Sequence, residues 1–218
     1  MSERKVYPVN LILKDRRCAV VGGGHIALRR ARSLVEAGAD VKVIAPEAVD
    51  MIKELDRAGV LKWVPKKFSA TEIVGEFLVI AATDSEEVNH SVAWAAKATG
   101  ALVNMAAPPT ELSDFSVPAR IEHGALMLTV STSGKCPELS RVLSRELADT
   151  FADVYGSWLD RLIPIREEAL KTLSTSAVRE IFWRTALDEN VMQLVKENKL
   201  DEAEAKVKDA INRFRAES

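Results

Sequence analysis

Apolar and polar positions along the chain change period several times, and each change predicts an element. Arg17 to Val21 is a short apolar run between a charged turn and a set of glycines, the pattern of a strand buried on both faces. From Ile26 the spacing becomes helical. Ala27, Ala31, Leu34, Val35 and Gly38 share one face, and Arg29, Arg30, Arg32 and Glu36 fall elsewhere. Gly38 stands where a left-handed helix stop is expected. Val41 to Ala45 predicts the second strand, closed by Pro46. Phe77 to Ala82 and Ala101 to Asn104 predict two more, separated by a helix over Ser85 to Thr99 with Val88, Val92, Ala95, Ala96 and Thr99 on one face. Leu61 to Phe68 adds a strand interrupted by Pro65. Strands alternating with helices imply right-handed crossovers and a parallel sheet.

After Pro108-Pro109 the pattern shifts. Phe115 to Val117 and Ala125 to Ser131 read as strands of a hairpin across Glu122-His123-Gly124. Ser131 to Pro137 is a polar turn, and Pro137 opens a helix at its first position. Helical spacing then runs to the end, with Leu200, Ala203, Val207, Ile211 and Phe214 along one stripe.

The turn after the first strand reads Gly22-Gly23-Gly24-His25-Ile26-Ala27, a G-x-G-x-x-A form. Gly22 permits the tight exit from the strand, Gly24 lets a pyrophosphate approach the backbone, and Ala27 lets the helix pack close to the sheet. The helix start offers unpaired N–H groups and a partial positive charge. A bare glycine triplet also fits a plain strand-to-helix turn, but strand, amphipathic helix and second strand around it predict an α/β Rossmann-type domain binding a dinucleotide. After the second strand, Pro46-Glu47 offers the nearest candidate for the acidic residue that binds ribose hydroxyls, slightly later than the usual position, and no arginine directly follows, which favours NAD over NADP. Thr83-Asp84 ends the next strand and faces the same crevice, although Asp84 could equally cap the following helix.

Bulk properties narrow the classes. The 218 residues carry a formal charge of −2, without the basic excess of a nonspecific nucleic-acid binder. No apolar run is long enough to cross a bilayer, and the N-terminus lacks the pattern of a secretory signal, so a cytoplasmic protein is expected. Cys18 and Cys136 suggest neither a disulfide framework nor a metal cage. His25, His90 and His123 are scattered rather than spaced as metal ligands.

The order of several further pieces resembles the precorrin-2 dehydrogenase / sirohydrochlorin ferrochelatase family, which also forms the N-terminal part of siroheme synthase. These pieces are a Tyr7–Leu11 strand, Val20 to Ala27, Glu36 to Ala39, Ala81-Ala-Thr-Asp84 with Val88-Asn89, and Leu102 to Asn104. Asp114-Phe115, Val117 to Ala119, Ser131 to Pro137 and Phe182-Trp183 complete the set. The resemblance implies an NAD-binding domain over residues 1–114, a small α+β dimerisation region over 115–151, and a helical domain over 152–218. It implies NAD-dependent oxidation of precorrin-2 to sirohydrochlorin by a homodimer in which 115–151 meets the partner subunit. Fe²⁺ insertion is the further activity of some members.

By position the resemblance places cofactor contacts on Gly22, Gly23, Gly24, His25, Ile26, Pro46 and Glu47, with Thr83 and Asp84 facing the crevice. It places the substrate near Ser131, Thr132, Ser133 and Lys135. An octa-anionic tetrapyrrole calls for guanidinium and ammonium groups, for which Arg29, Arg120, Lys135 and Arg141 are candidates. One departure bears on catalysis. The family's aspartate, three residues after the strand-ending asparagine, is Ala107 here, and alanine cannot take a proton. Either Asp114 or another group substitutes, or the chain is a catalytically impaired binder of dinucleotide and tetrapyrrole. Ser133 stands where glycine is common and Cys136 where serine is common.

Overall fold

The computed structural model describes residues 5–108 and 110–216, which form two compact units, Met1–Val117 and Pro118–Ser218. In the first unit, β1 (Arg17–Val21), β2 (Asp40–Ile44), β3 (Lys62–Val64), β4 (Leu78–Ala81) and β5 (Leu102–Met105) make one parallel sheet in the order β3-β2-β1-β4-β5. Alternate residues feed two cores. Cys18 and Val20 of β1 and Val41 and Val43 of β2 meet Ala27, Ala31 and Leu34 of α1 (His25–Glu36) and Ile52 of α2 (Asp50–Arg57). Ala19, Val21, Ile44, Val79 and Ala81 face the other way, against Val92, Ala93 and Ala96 of α3 (Glu86–Ala98). Burial on both faces explains why these strands read as continuous apolar runs. The strand order reverses between β1 and β4, so the crevice at their carboxyl ends is the switch point where such sheets bind ligands.

Gly38 takes φ 79°, the helix stop its position predicts. β3 is only three residues long, because Pro65 cannot continue a ladder. Tyr7–Leu11 differs from expectation: it forms no strand, and Val6, Tyr7, Val9 and Ile12 are exposed. Among the described residues no strand pairs with it, and Pro8 has no N–H to donate.

The second unit opens with a hairpin of β6 (Ala119–His123) and β7 (Leu126–Val130). Phe115–Val117 is therefore not its first strand. The ladder is fixed from the other end, by a two-residue Gly124-Ala125 turn in which Gly124 takes φ 56°, and pairing runs out at Ala119↔Val130 beside Pro118. α4 (Pro137–Leu147) packs on both strands and continues through a π-helical turn at Ala148–Ala152 into α5 (Asp153–Thr172). α5, α6 (Ser176–Ala186), α7 (Glu189–Lys196) and α8 (Leu200–Ala216) close around Trp158, Ile165, Phe182, Val195, Val207 and Ile211. Phe182 meets Phe214 edge to face at 5.7 Å between centroids. The hairpin tip is held to α5 by His123, whose ring lies where a side chain on Gly156 would be and whose Nδ1 is 3.2 Å from Asp153 Oδ1.

Candidate functional site

The glycine turn is wedged between two loops. A Cβ on Gly22 would fall 2.2 Å from the Ala82 carbonyl oxygen, and Gly22 adopts φ 128°. A Cβ on Gly23 would fall 1.9 Å from the Glu47 carbonyl oxygen, and the Gly23 carbonyl accepts a hydrogen bond from Val49 N. So Gly22 seats the turn against the end of β4 and Gly23 against the end of β2. Gly24 is different: its Cβ would meet nothing within 4 Å. Of the three glycines in this turn, the one expected to make room for a pyrophosphate is the one that faces open space.

α1 starts beside that space with Gly24 as its N-cap, no side-chain cap and no acidic residue in its first turn. The first helical bond runs from Leu28 N to the Gly24 carbonyl, so the amides of His25, Ile26 and Ala27 have no acceptor within the helix. Free amides, a positive helix end and an unfilled glycine face fit the phosphates of a dinucleotide. Ile26 is exposed, while Ala27 is fully buried against the sheet. Pro46 and Glu47 are exposed on the bend after β2.

Across the crevice, Asn89 fixes the loop after β4. Its buried carboxamide oxygen accepts from Thr83 N (3.1 Å) and Thr83 Oγ1 (2.8 Å), and its Nδ2 donates to the Thr83 carbonyl (2.9 Å). Ser85, not Asp84, caps α3, accepting from Val88 N. Asp84 is left exposed, and no hydrogen bond or ion pair with a described residue engages its carboxylate.

Asp114 is placed quite differently. Its Oδ1 meets Lys97 Nζ at 2.7 Å, its Oδ2 accepts from Val103 N at 2.9 Å, and its own N–H donates to the Val103 carbonyl. Ser113 Oγ accepts from Met105 N, and Asn104 Nδ2 donates to the Phe115 carbonyl. Residues 113–115 thus cover the open edge of β5, satisfying groups that a bare edge would expose. Sequence reasoning missed the clamps at Asn89, Asn104 and Ser113. Polar residues flanking a buried strand end were the available signal.

In the second unit the polar turn is knotted by Thr132. Its hydroxyl accepts from Cys136 N (3.2 Å) and lies 3.0 Å from both the Cys136 carbonyl and Ser140 Oγ. Ser131 Oγ accepts from Ser133 N, and Lys135 N donates to the Thr132 carbonyl. Ser133 takes φ 53° and Gly134 φ 78°, so Ser133 occupies a backbone shape that favours glycine. Ser131 to Lys135 therefore gather in one turn. Arg120 sits on β6 with Nε 3.5 Å from Glu122 Oε1, and Arg141 is paired with Glu138. Arg29 lies on the outer face of α1 in a shallow groove with His25, Arg32 and Glu36.

Of the two thiols, burial, helped by Asp40 and Glu76, pushes Cys18 up to about 11, which leaves it protonated and unreactive. Cys136 is exposed, and both thiols are free. No three or more His, Cys, Asp and Glu side chains converge as a metal site among the described residues. None of the described helices is long and apolar enough to cross a membrane.

A wound parallel sheet with an open glycine turn at its switch point defines a nucleotide-binding protein of the Rossmann class. Comparison with known proteins sharpens this. Residues 9–119, just over half of the chain, match the family model described as "Putative NAD(P)-binding", and residues 154–211 match that of the sirohaem synthase dimerisation region. The second match begins downstream of the 115–151 segment. The chain is 35% identical over 197 residues to a siroheme synthase of Methylococcus capsulatus, covering 90% of this chain and 41% of that one. It is 33% identical over 204 residues to a siroheme synthase of Nitrosococcus oceani, covering 94% and 43%. The chain thus spans about two fifths of the length of these relatives. A solved structure, "SirC, precorrin-2 dehydrogenase", superposes with a TM-score of 0.78 at 25% identity, covering 97% of this chain and all of that one. The chain belongs to this NAD(P)-binding family of siroheme synthases and precorrin-2 dehydrogenases, the family its motifs resemble.

Proposed function

We propose that this chain oxidises precorrin-2 to sirohydrochlorin with NAD⁺. The observation that carries the reading is the open face of Gly24 beside the uncapped start of α1, on a chain whose structural match is a precorrin-2 dehydrogenase. The dinucleotide, when bound, supplies the hydride acceptor. The chain's own part is to bind and orient. Gly22, Gly23 and Gly24 shape the turn, the amides of His25 and Ile26 would hold the phosphates, and Pro46-Glu47 would hold the ribose. Thr83 is held rigid by Asn89 at the opposite wall. An acidic residue rather than an arginine after β2 favours NAD over NADP.

For the substrate, the polar turn of Ser131, Thr132, Ser133 and Lys135, with Arg120 opposite Thr129 on the preceding hairpin, offers hydroxyl, amide and cationic donors to its carboxylates. A homodimer fits the dimerisation-region match over 154–211 and the apolar Leu139, Val142 and Leu143 exposed on α4. A cytosolic setting fits the two free cysteines.

A second reading is a dinucleotide- and tetrapyrrole-binding dimer without turnover. It is favoured by Ala107 and by the engagement of both Asp114 oxygens. Air-free incubation with enzymatically made precorrin-2 and NAD⁺ decides between them. The dehydrogenase reading expects sirohydrochlorin to form at a rate proportional to protein; saturable binding without product leaves the second.

A further inference from the structure

α1 packs on β1 and β2 through a buried stripe of Ala27, Ala31 and Leu34. At about 100° per residue, Leu28 and Val35 fall on one flank of that stripe, and Ile26 and Arg30 on the other. A right-handed crossover from β1 to β2 turns the first flank toward β2 and the second toward β4. Arg30 is therefore set apart from His25, Arg29 and Arg32, which line the outer groove. Long helical side chains lean toward the helix start, so Arg30 extends past Ile26 toward the crevice.

The sheet beside that flank forms a shelf. α1 and α2 stand over β1, β2 and β3, and α3 packs on the opposite face of β4 and β5. Among the described residues of the first unit, no helix covers β4 and β5 on the α1 side. Leu102, Ala106 and Phe115 pack there, each only partly buried.

Two polar atoms on this side of the sheet are buried without a partner. One is Arg30 Nε, and no hydrogen bond or ion pair with a described residue engages the rest of that guanidinium. The other is Asn104 Oδ1. Asn104 is 6% exposed and pairs with Ile80, whose side chain belongs to the core under α1. Buried polar groups are nearly always bonded, so an open donor and an open acceptor on one face mark a place for a ligand. Arg30 makes the stronger demand. Burial and the Arg29 charge hold its guanidinium below the usual arginine value, and a half-buried charge without a counter-ion is costly. An anion brought by a ligand removes that cost. The phosphates of a dinucleotide have the free amides at the start of α1, while Arg30 lies a turn further along on the β4 flank. Its planar fork matches a carboxylate.

We propose that Arg30 binds a carboxylate of the tetrapyrrole on this shelf and so helps to select the substrate. The inference takes its ligand from the dehydrogenase reading. An octa-anionic ring has carboxylates for Arg30 beside any held by the Ser131–Lys135 turn.

The test compares the parent chain, Arg30→Met, Arg30→Lys and, as a control for lost charge on the outer face, Arg32→Met. Each is titrated with sirohydrochlorin by absorbance and with NAD⁺ by calorimetry, assayed air-free for precorrin-2 turnover, and melted without ligand. Arg30→Met should weaken sirohydrochlorin binding and raise the precorrin-2 KM by about tenfold or more, the scale of a lost charged hydrogen bond. Its kcat at saturation and its NAD⁺ affinity should change less than about threefold. Arg30→Lys keeps the charge without the fork and should fall between. The melting midpoint of Arg30→Met should match or exceed the parent's, because an unpaired charge has gone. Parent-like sirohydrochlorin affinity in Arg30→Met overturns the inference, and so does an equal loss in Arg32→Met. A loss confined to NAD⁺, or a lowered midpoint with both affinities lost, overturns it too. A parent that binds sirohydrochlorin but makes none from precorrin-2 ends the dehydrogenase reading, and the binding comparison still decides the role of Arg30.

Discussion

The carboxamide of Asn89 closes on Thr83 from both sides, accepting from its N–H and hydroxyl and donating to its carbonyl. A side chain one turn into α3 therefore sets the shape of the crevice wall at the end of β4. Asn89→Ala removes these bonds and leaves the Thr83 backbone without partners. The expected cost is about 2 kcal/mol in chemical denaturation, together with weaker NAD⁺ binding. Unchanged affinity in a destabilised variant would show that the loop does not shape the cofactor site.

Gly22 and Gly24 should respond oppositely to the same methyl group. In Gly22→Ala the Cβ meets the Ala82 carbonyl at 2.2 Å on a backbone with φ 128°, so the protein should lose about 3 kcal/mol or more of stability. Gly24 has φ −86° and an empty Cβ direction. Gly24→Ala should therefore fold within about 0.5 kcal/mol of the parent. Its NAD⁺ affinity should fall about tenfold or more, because the methyl occupies the space a pyrophosphate needs. Paired thermal melts and dinucleotide titrations read both effects.

Lys42 and Glu76 form a largely buried pair at 2.7 Å under the sheet. Burial alone would raise the Glu76 carboxyl. The Lys42 hydrogen bond and charge, with the backbone amides of Glu76 and Val74, outweigh it and hold the group below the usual carboxylate range. A depressed folded value means that this pair's stabilisation is complete above the unfolded value of about 4.3 and is lost as pH falls through the folded one. Lys42→Met leaves the carboxylate buried without its cation and should cost about 3 kcal/mol at neutral pH. Because burial then dominates, the variant's stability should fall less than the parent's as pH drops from about 6 to 3. Denaturation midpoints across that range test the sign.

Ser133 holds φ 53° in the substrate-facing turn proposed here. Ser133→Gly relieves the left-handed cost of about 1–2 kcal/mol and loses part of it to unfolded-chain entropy, so a gain of about 0.5 kcal/mol is expected. A loss of stability would mean that the Ser133 side chain has a structural role beyond the hydrogen bonds described.

The parallel sheet, the glycine turn and the helical C-terminal part were legible because each depends on periodicity or on local turn chemistry. Val20 and Val43 are buried in one core and Val21 and Ile44 in the other, as two-sided strands must be. The hairpin register was not legible. It depends on which two residues form the turn, and Gly124-Ala125 shifted the first strand past Pro118. Tyr7–Leu11 has strand-like alternation, yet none of the described strands pairs with it. In the candidate site, Gly24 could be singled out from spacing alone. The commitment of Asp114 to Lys97 and Val103 could not, since it arises from a loop folding back on β5 across residues distant in sequence.

The most direct test counts products. Under air-free conditions with precorrin-2 and NAD⁺, the account predicts one NADH formed for each sirohydrochlorin, at a rate that Gly24→Ala lowers at limiting NAD⁺. Sirohydrochlorin formed without matching NADH, or at a rate indifferent to Gly24→Ala, would contradict hydride transfer to a nicotinamide held at this glycine turn.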